Sequence, residues 1–378
     1  MAGIYIHVPF CSSRCIYCDF YSTTQGVEMR SAYVQALCRE MEVRKHELNN
    51  EVIQTIYFGG GTPSLLALDQ IGKLMQAIRA NFDISPTAEI TLESNPDDVT
   101  LSLAEGWIAL GFNRVSLGLQ TFNDQILRLL RRRHTASTAK HAVKTLREAG
   151  FKNLTLDLIY GLPNQTFDIW KDDVQQLLAL SVNHLSAYAL SYEPGTALTK
   201  MRDRGEIREA DEEMIRKMYL YLIEQSEAAG YKHYEISNFA LPGYESRHNS
   251  SYWSGVPYIG LGPGAHSYDG KSKRRANDPD LLSYIKQADD APCSFEYLDA
   301  VQLYEEYLLT GLRTSRGISL SYVLENFGKK IFNRMLCLAK SHLAKGALRE
   351  CDDHYILTLE GILISDYIIS DLMLAADD

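Results

Sequence analysis

With 378 residues, 46% of them hydrophobic and 23% charged, the chain can fill two globular domains, and no apolar run approaches the roughly 20 residues that a membrane helix needs. A formal net charge of −10 argues against nucleic acid as the main partner, since phosphate binding needs a basic surface; the short basic runs Arg131 to Arg133 and Lys271 to Arg275 suit solvated surface or single anion contacts. Seven cysteines, an odd count, in a long chain that opens without a signal peptide speak against a disulfide framework and for a reduced, cytoplasmic protein.

The first predicted element is a strand, Ile4 to Val8, followed at once by Cys11, Cys15 and Cys18 in the run C-S-S-R-C-I-Y-C-D-F. Thiolates are strong ligands for soft iron–sulfur clusters, and a tight turn carrying three of them can hold three corners of a 4Fe-4S cube while the fourth iron stays open. Zinc suits the run poorly, because structural sites take four protein ligands and catalytic sites three plus water, and no histidine partner lies close by. The remaining Cys38, Cys293, Cys337 and Cys351 are scattered and read as ordinary thiols.

Further strands are predicted at Ile53 to Phe58, Glu89 to Glu93 and His184 to Leu190. Between them a phrase recurs: a helical stretch, a glycine, an aromatic, then a β-rich run. Leu103 to Leu110 leads through Gly111-Phe112 into Arg114 to Leu119. Ala139 to Ala149 leads through Gly150-Phe151 into Leu154 to Ile159, and Glu212 to Ala229 through Gly230-Tyr231 into His233 to Ser237. Glycine there suits a left-handed helix cap, and the runs that follow read as strands buried on both faces. Alternating helices and strands predict an α/β protein with a parallel sheet, wound as an open or partial β/α barrel, whose chemistry sits where the strands end.

The spacing CxxxCxxC, with Tyr17 before the last cysteine and Y-I-H-V-P-F-C ahead of it, resembles the signature of the radical S-adenosylmethionine (SAM) proteins and, within them, the HemN/HemW family. The resemblance implies a partial (β/α)6-type, TIM-like barrel holding a 4Fe-4S cluster on Cys11, Cys15 and Cys18, whose open iron takes the amino and carboxylate groups of SAM. It extends to Gly59-Gly60-Gly61-Thr62-Pro63 after the second strand, where Gly60 would meet the SAM amino group and Gly61 and Thr62 line its pocket. Glu93 closes the next strand, where a carboxylate can bind a ribose diol. By position Gln120, Arg132 and Asp157 match residues for a nucleoside or SAM-derived ligand, and Tyr5 and Tyr17 are aromatic matches beside the cluster. Asp157 has its own physical case, since an acid inside the apolar run Leu154 to Ile159 needs a partner if buried.

The family has two branches. Oxygen-independent coproporphyrinogen III dehydrogenases carry a fourth cysteine two residues after the third and an extension ahead of the barrel; this chain has Phe20 at that position and reaches its first strand at Ile4. The heme chaperones share the phrase around Cys15 to Ser22 and the motif H-N-x-x-Y-W, met in full by His248-Asn249-Ser250-Ser251-Tyr252-Trp253. A neutral imidazole can ligate heme iron and neighbouring aromatics can pack on a porphyrin, so His248 is the candidate axial ligand, with His7 and His266 as rivals. The expected function is that of a heme chaperone that binds a cluster, SAM and heme and passes heme to target proteins, with decarboxylation of coproporphyrinogen III as the alternative. Implied partners are heme, heme-accepting proteins (membrane-associated targets included), an electron donor for the cluster and, where copies pair, a homodimer.

The expected division is 1–240 for the barrel, 241–283 for a lid or linker rich in Gly, Tyr, Ser and Pro, and 284–378 for a C-terminal domain. That last part predicts helices at Leu298 to Leu312, Leu320 to Phe327 and Lys330 to Lys345, then a hairpin across Asp352-Asp353 and a closing helix from Glu360, a winged-helix-like pattern. Glu350, Asp352 and Asp353 on the wing repel phosphate and leave packing or partner contact as its role.

Overall fold

Six strands follow one another across the sheet in the order in which the chain makes them: β1 (Ala2–Val8), β2 (Ile53–Gly60), β3 (Ile84–Ser94), β4 (Arg114–Gln120), β5 (Asn153–Tyr160) and β6 (His184–Ala189). All five contacts between them are parallel. A sheet whose order never reverses has no switch point, so it is wound as a β/α barrel rather than as a doubly wound sheet. Its two ends do not pair, and the barrel is open. The structure, a computed structural model, describes residues 1–374.

The helix–glycine–aromatic phrase is visible in its first two copies. Gly111 (φ 103°) and Gly150 (φ 111°) take left-handed caps. Phe112 N–H then donates to Trp107 O and Phe151 N–H to Leu146 O, both at 3.0 Å, which folds each aromatic ring into the core. The third copy differs. After Gly230 the chain makes β7 (Lys232–Glu235), antiparallel to β8 (Asn238–Ala240), which in turn runs antiparallel to β6. The cap signal is the same, but β7 lies at the end of the sheet, with all its residues but Glu235 at least partly exposed. Residues 313–315 cover its free edge through Ile236 N–H to Arg313 O and Ser315 N–H to Tyr234 O.

Segment 241–283, expected as a lid or linker, is built into the barrel instead. The helix Arg247–Trp253 closes the end from which the strands start, and β9 (Tyr258–Leu261) runs parallel beside β1. Next, β10 (His266–Tyr268), β11 (Lys273–Asn277) and β12 (Cys293–Tyr297) extend that edge as an antiparallel meander. A buried network fixes this addition: Arg44 Nη1 donates to Glu40 Oε1 (2.7 Å) and Gly260 O (2.8 Å), while Asn277 Nδ2 and the Tyr284 hydroxyl donate to the same Glu40 carboxylate.

A second apolar core forms beyond β12 around Tyr304, Leu308, Val323, Met335 and Ile368. It is built from helices Ala300–Leu312, Leu320–Ala344 and Ser365–Leu372 and a three-stranded sheet, Ile318–Ser319, His354–Leu357 and Leu348–Cys351. The two helices expected at Leu320 to Phe327 and Lys330 to Lys345 are both present, divided at Gly328, whose φ of 82° and ψ of 170° are not helical. The hairpin turns at Asp352 as read from the sequence.

Candidate functional site

Beyond Val8 the chain leaves the sheet and forms the cysteine loop, whose neck is tied by Thr23 N–H to Pro9 O (2.7 Å) and Cys11 N–H to Thr23 O (2.9 Å). Its middle is pinned by Ile16, buried in a small apolar cluster with Ile126, Leu130, Ile159, Leu162 and Leu198. The loop is therefore anchored at neck and tip, and its thiols are held in place between. Cys11, Cys15 and Cys18 all line one cavity of ≈ 510 Å³ at the C-terminal ends of the strands, a volume within the range of small-molecule sites.

The loop after β2 lies against this neck. Gly61 N–H donates to Val8 O at 2.8 Å, and a Cβ there would come within 2.7 Å of Phe10 O, so only glycine permits the approach. Gly60 has φ 102°, and a Cβ on it would meet the His7 ring at 2.6 Å. Thr62 then places its hydroxyl 3.6 Å from Cys11 Sγ.

Strands β3 to β6 bring the remaining groups. Glu93 accepts from the Tyr57 hydroxyl at 2.7 Å, and burial pushes its carboxyl up to about 7. Asp157 accepts from Ser116 Oγ at 3.1 Å, and burial pushes it up to about 6 against the pull of Ser186, Ser116 and nearby arginines. The partner that an acid in this strand required is thus a pair of serines on the flanking strands. Gln120 stands at a bulge between Gly118 and Gln120 in the β4–β5 register, with φ 73°. Among the three consecutive arginines, Arg133 pairs outward with Asp97 and Asp98 while Arg132 turns in. Arg132 Nη1 reaches Cys15 Sγ at 3.4 Å, and its Nη2 donates to Asn95 Oδ1 (2.7 Å) and Gly118 O (2.5 Å).

Eleven of the residues singled out from the sequence therefore line the cavity: the three cysteines with Tyr17, Gly60, Gly61, Thr62, Glu93, Gln120, Arg132 and Asp157. Tyr5 does not. Its ring lies beside the stacked pair Tyr57 and His248, and its hydroxyl meets His7 Nδ1 at 3.1 Å, so it supports the wall from behind. His248, expected as an axial heme ligand, is also outside the cavity lining and is 2% exposed. Its Nδ1 contacts Thr55 Oγ1 and its Nε2 the Tyr252 hydroxyl, both at 2.8 Å, and burial lowers its pKa to about 3. A neutral imidazole with both nitrogens engaged, plugging the start of β1 and β2, has no lone pair to offer iron in this arrangement. The neighbouring Asn249 does reach the far end of the cavity. Of the rivals, His7 is buried and His266 exposed.

Sequence reasoning missed the polar floor: Thr91, Arg114, Ser116, Thr155, His184 and Ser186 also line the cavity. The signal was present as a polar residue at every second position of β3 to β6, one face of each strand pointing inward. It was hidden because both faces are buried, the outer against helices and the inner against this chamber.

Cluster chemistry fits the donor set. Burial raises the Cys11 thiol and pushes Cys18 up to about 11, so both stay neutral unless a cation draws them into thiolates. Among the described residues no group of three His, Cys, Asp or Glu side chains gathers around a single ion position. Three sulfurs spread along one loop suit a cluster that takes one at each corner.

Residues 5–177 match the radical SAM superfamily. The chain is 37% identical to the heme chaperone HemW of Lactococcus lactis over 327 residues, which are 86% of this chain and 84% of that protein. Its identity to HemW of Mycobacterium tuberculosis is 35% over 98% of this chain and 94% of the relative. For HemW of Bacillus subtilis the identity is 34% over 97% of both. In fold it is similar to coproporphyrinogen III oxidase (HemN) from Escherichia coli, described as a radical SAM enzyme, with a TM-score of 0.85 over 98% of this chain and 90% of that one; at 23% identity this speaks to the fold.

Proposed function

The chain belongs to the HemW family of the radical SAM superfamily, and on that premise we propose that it is a heme chaperone, which binds heme and delivers it to heme-accepting proteins and carries a 4Fe-4S cluster and SAM at the barrel mouth. The observation that carries the proposal is likeness along the whole chain: at 34–35% identity over 97–98% of it, barrel and C-terminal part belong to one relative rather than to two.

In this reading Cys11, Cys15 and Cys18 hold the cluster, whose open corner would bind SAM and supply it with an electron from a donor protein. Glycine at 60 and 61 lets this loop close onto the neck of the cysteine loop, where a Cβ would strike the His7 ring or Phe10 O, and so brings its backbone to the cavity wall. Glu93, held by Tyr57, offers a carboxylate oxygen to a ribose hydroxyl, and Asp157 and Gln120 supply polar contacts across the cavity. Tyr17, its hydroxyl kept protonated by burial, presents a ring face for an adenine. Phe20, 63% exposed on the cavity rim, stands where the decarboxylating branch has its extra cysteine, and with Tyr188, 43% exposed on the same cavity, gives the mouth an aromatic surface suited to a flat macrocycle.

The test is an anaerobically reconstituted sample titrated with heme and separately supplied with coproporphyrinogen III, SAM and a reductant. Saturable heme binding without protoporphyrinogen IX is the expected result. Formation of protoporphyrinogen IX, or no heme uptake, would overturn it.

A further inference from the structure

Arg132 is fixed before it touches the cavity. The helix Asp124–Leu129 ends in a left-handed turn at Arg131 (φ 59°), where Arg131 N–H donates to Arg128 O and Arg132 N–H to Leu127 O at 2.9 Å. The same turn is docked on the cysteine loop through Ile16 N–H to Leu130 O (3.4 Å) and through burial of both side chains in one apolar cluster. From this base the guanidinium spans to Cys15 Sγ at 3.4 Å. Its other nitrogen joins Asn95 Oδ1, whose Nδ2 donates to Thr62 Oγ1 at 3.3 Å, and Thr62 donates in turn to Cys11 Sγ. One hydrogen-bonded chain therefore runs Cys15–Arg132–Asn95–Thr62–Cys11, with a permanent positive charge at one end.

We propose that Arg132 is a positioning residue for the cluster, which through its contact with Cys15 and its relay to Cys11 raises the cluster's reduction potential. The inference rests on the cluster reading given above. A donor aimed at a ligating sulfur draws electron density from it, and a fixed cation nearby favours the form with one more electron; both act toward easier reduction. The guanidinium suits this better than an ammonium would, because its planar fork serves Cys15 with one nitrogen and Asn95 and Gly118 with the other at once.

The test is a potentiometric titration of the reconstituted full chain without SAM, poised with dithionite and mediators and read by electron paramagnetic resonance, with iron counted in every sample. At full iron content Arg132→Met should shift the ratio of reduced to oxidised cluster at least tenfold toward oxidised at a given potential, about 59 mV for one electron. Arg132→Lys, which keeps the charge and loses the fork, should shift it less. Unchanged potential and unchanged resonance in Arg132→Met would overturn the proposal. If that variant takes up no iron, Asn95→Ala and Thr62→Val each break a single link. A lowered potential in either at full iron upholds the proposal, and unchanged potentials in both defeat it. Absence of iron from the unaltered protein would strike the cluster reading instead.

Discussion

The two ends of the barrel are both lined with buried polar groups, yet they are balanced in opposite ways. At the end where strands start, Glu89 accepts from His248 N–H at 3.1 Å and pairs with Arg114 at 3.4 Å, and both nitrogens of His248 are engaged by Thr55 and Tyr252. At the end where strands finish, Glu93 and Asp157 are pushed up to about 7 and about 6, and the Cys18 thiol to about 11. Burial dominates each of these shifts, as it does that of His248, but these groups line an open cavity, whereas both nitrogens of His248 are engaged by neighbours away from it. A buried group matched internally is architecture; one left short of partners beside an open cavity is a place for a ligand. The motif at the base and the motif at the mouth look equally functional in the sequence, and this balance separates them.

The comparison breaks most sharply at Cys15. Cys15→Ser should abolish the brown absorption and the iron of a reconstituted sample, while Cys337→Ser, on an exposed turn of the helix Leu320–Ala344, should leave both intact. Equal loss in the two variants would place the metal elsewhere. At the opposite end His248→Ala should act on stability. It leaves the Thr55 and Tyr252 hydroxyls without their shared partner and opens a void against β1, at a cost of about 3 kcal/mol. Urea unfolding should register that loss, whereas iron content and heme affinity of the folded fraction stay as they were. A native midpoint combined with lost heme binding would return the histidine to the role of ligand.

What the sequence made legible follows from how local each signal was. The cysteine loop, the glycine run and the strand-end residues Glu93, Gln120 and Asp157 are set by their own elements, so each is legible in its own stretch of chain. The left-handed caps at Gly111 and Gly150 were readable for the same reason. Positions fixed by distant chain were not. Whether Gly230-Tyr231 introduces a parallel strand or a hairpin depends on β6 and residues 313–315, and whether His248 faces a cavity or a wall depends on Thr55, 193 residues earlier. Asn95 could not be seen as a bridge between two cysteines without the turn at Arg131, which brings Arg132 to it from the far side of the loop.

The smallest effect offers the finest test of the imbalance at the mouth. Glu93 has its carboxyl raised from 4.5 to about 7, first by burial and then by the charge of Asp157, with the Tyr57 hydroxyl pulling the other way. The folded chain therefore holds this proton more tightly than the unfolded chain does. The stability it contributes is complete below about pH 4.5 and is lost as the pH rises through about 7. Glu93→Gln keeps an oxygen to accept from Tyr57 and carries no charge, so it should stabilise the cluster-free protein at pH 8 and do little at pH 4.5. Because the side chain faces an open cavity where water screens it, the gain should be on the order of 2 kcal/mol, less than the roughly 3 kcal/mol that the whole shift corresponds to. Urea midpoints of both proteins across that range measure it. A gain of equal size at both ends would mean that the carboxylate is already matched within the fold, as Glu89 is at the base.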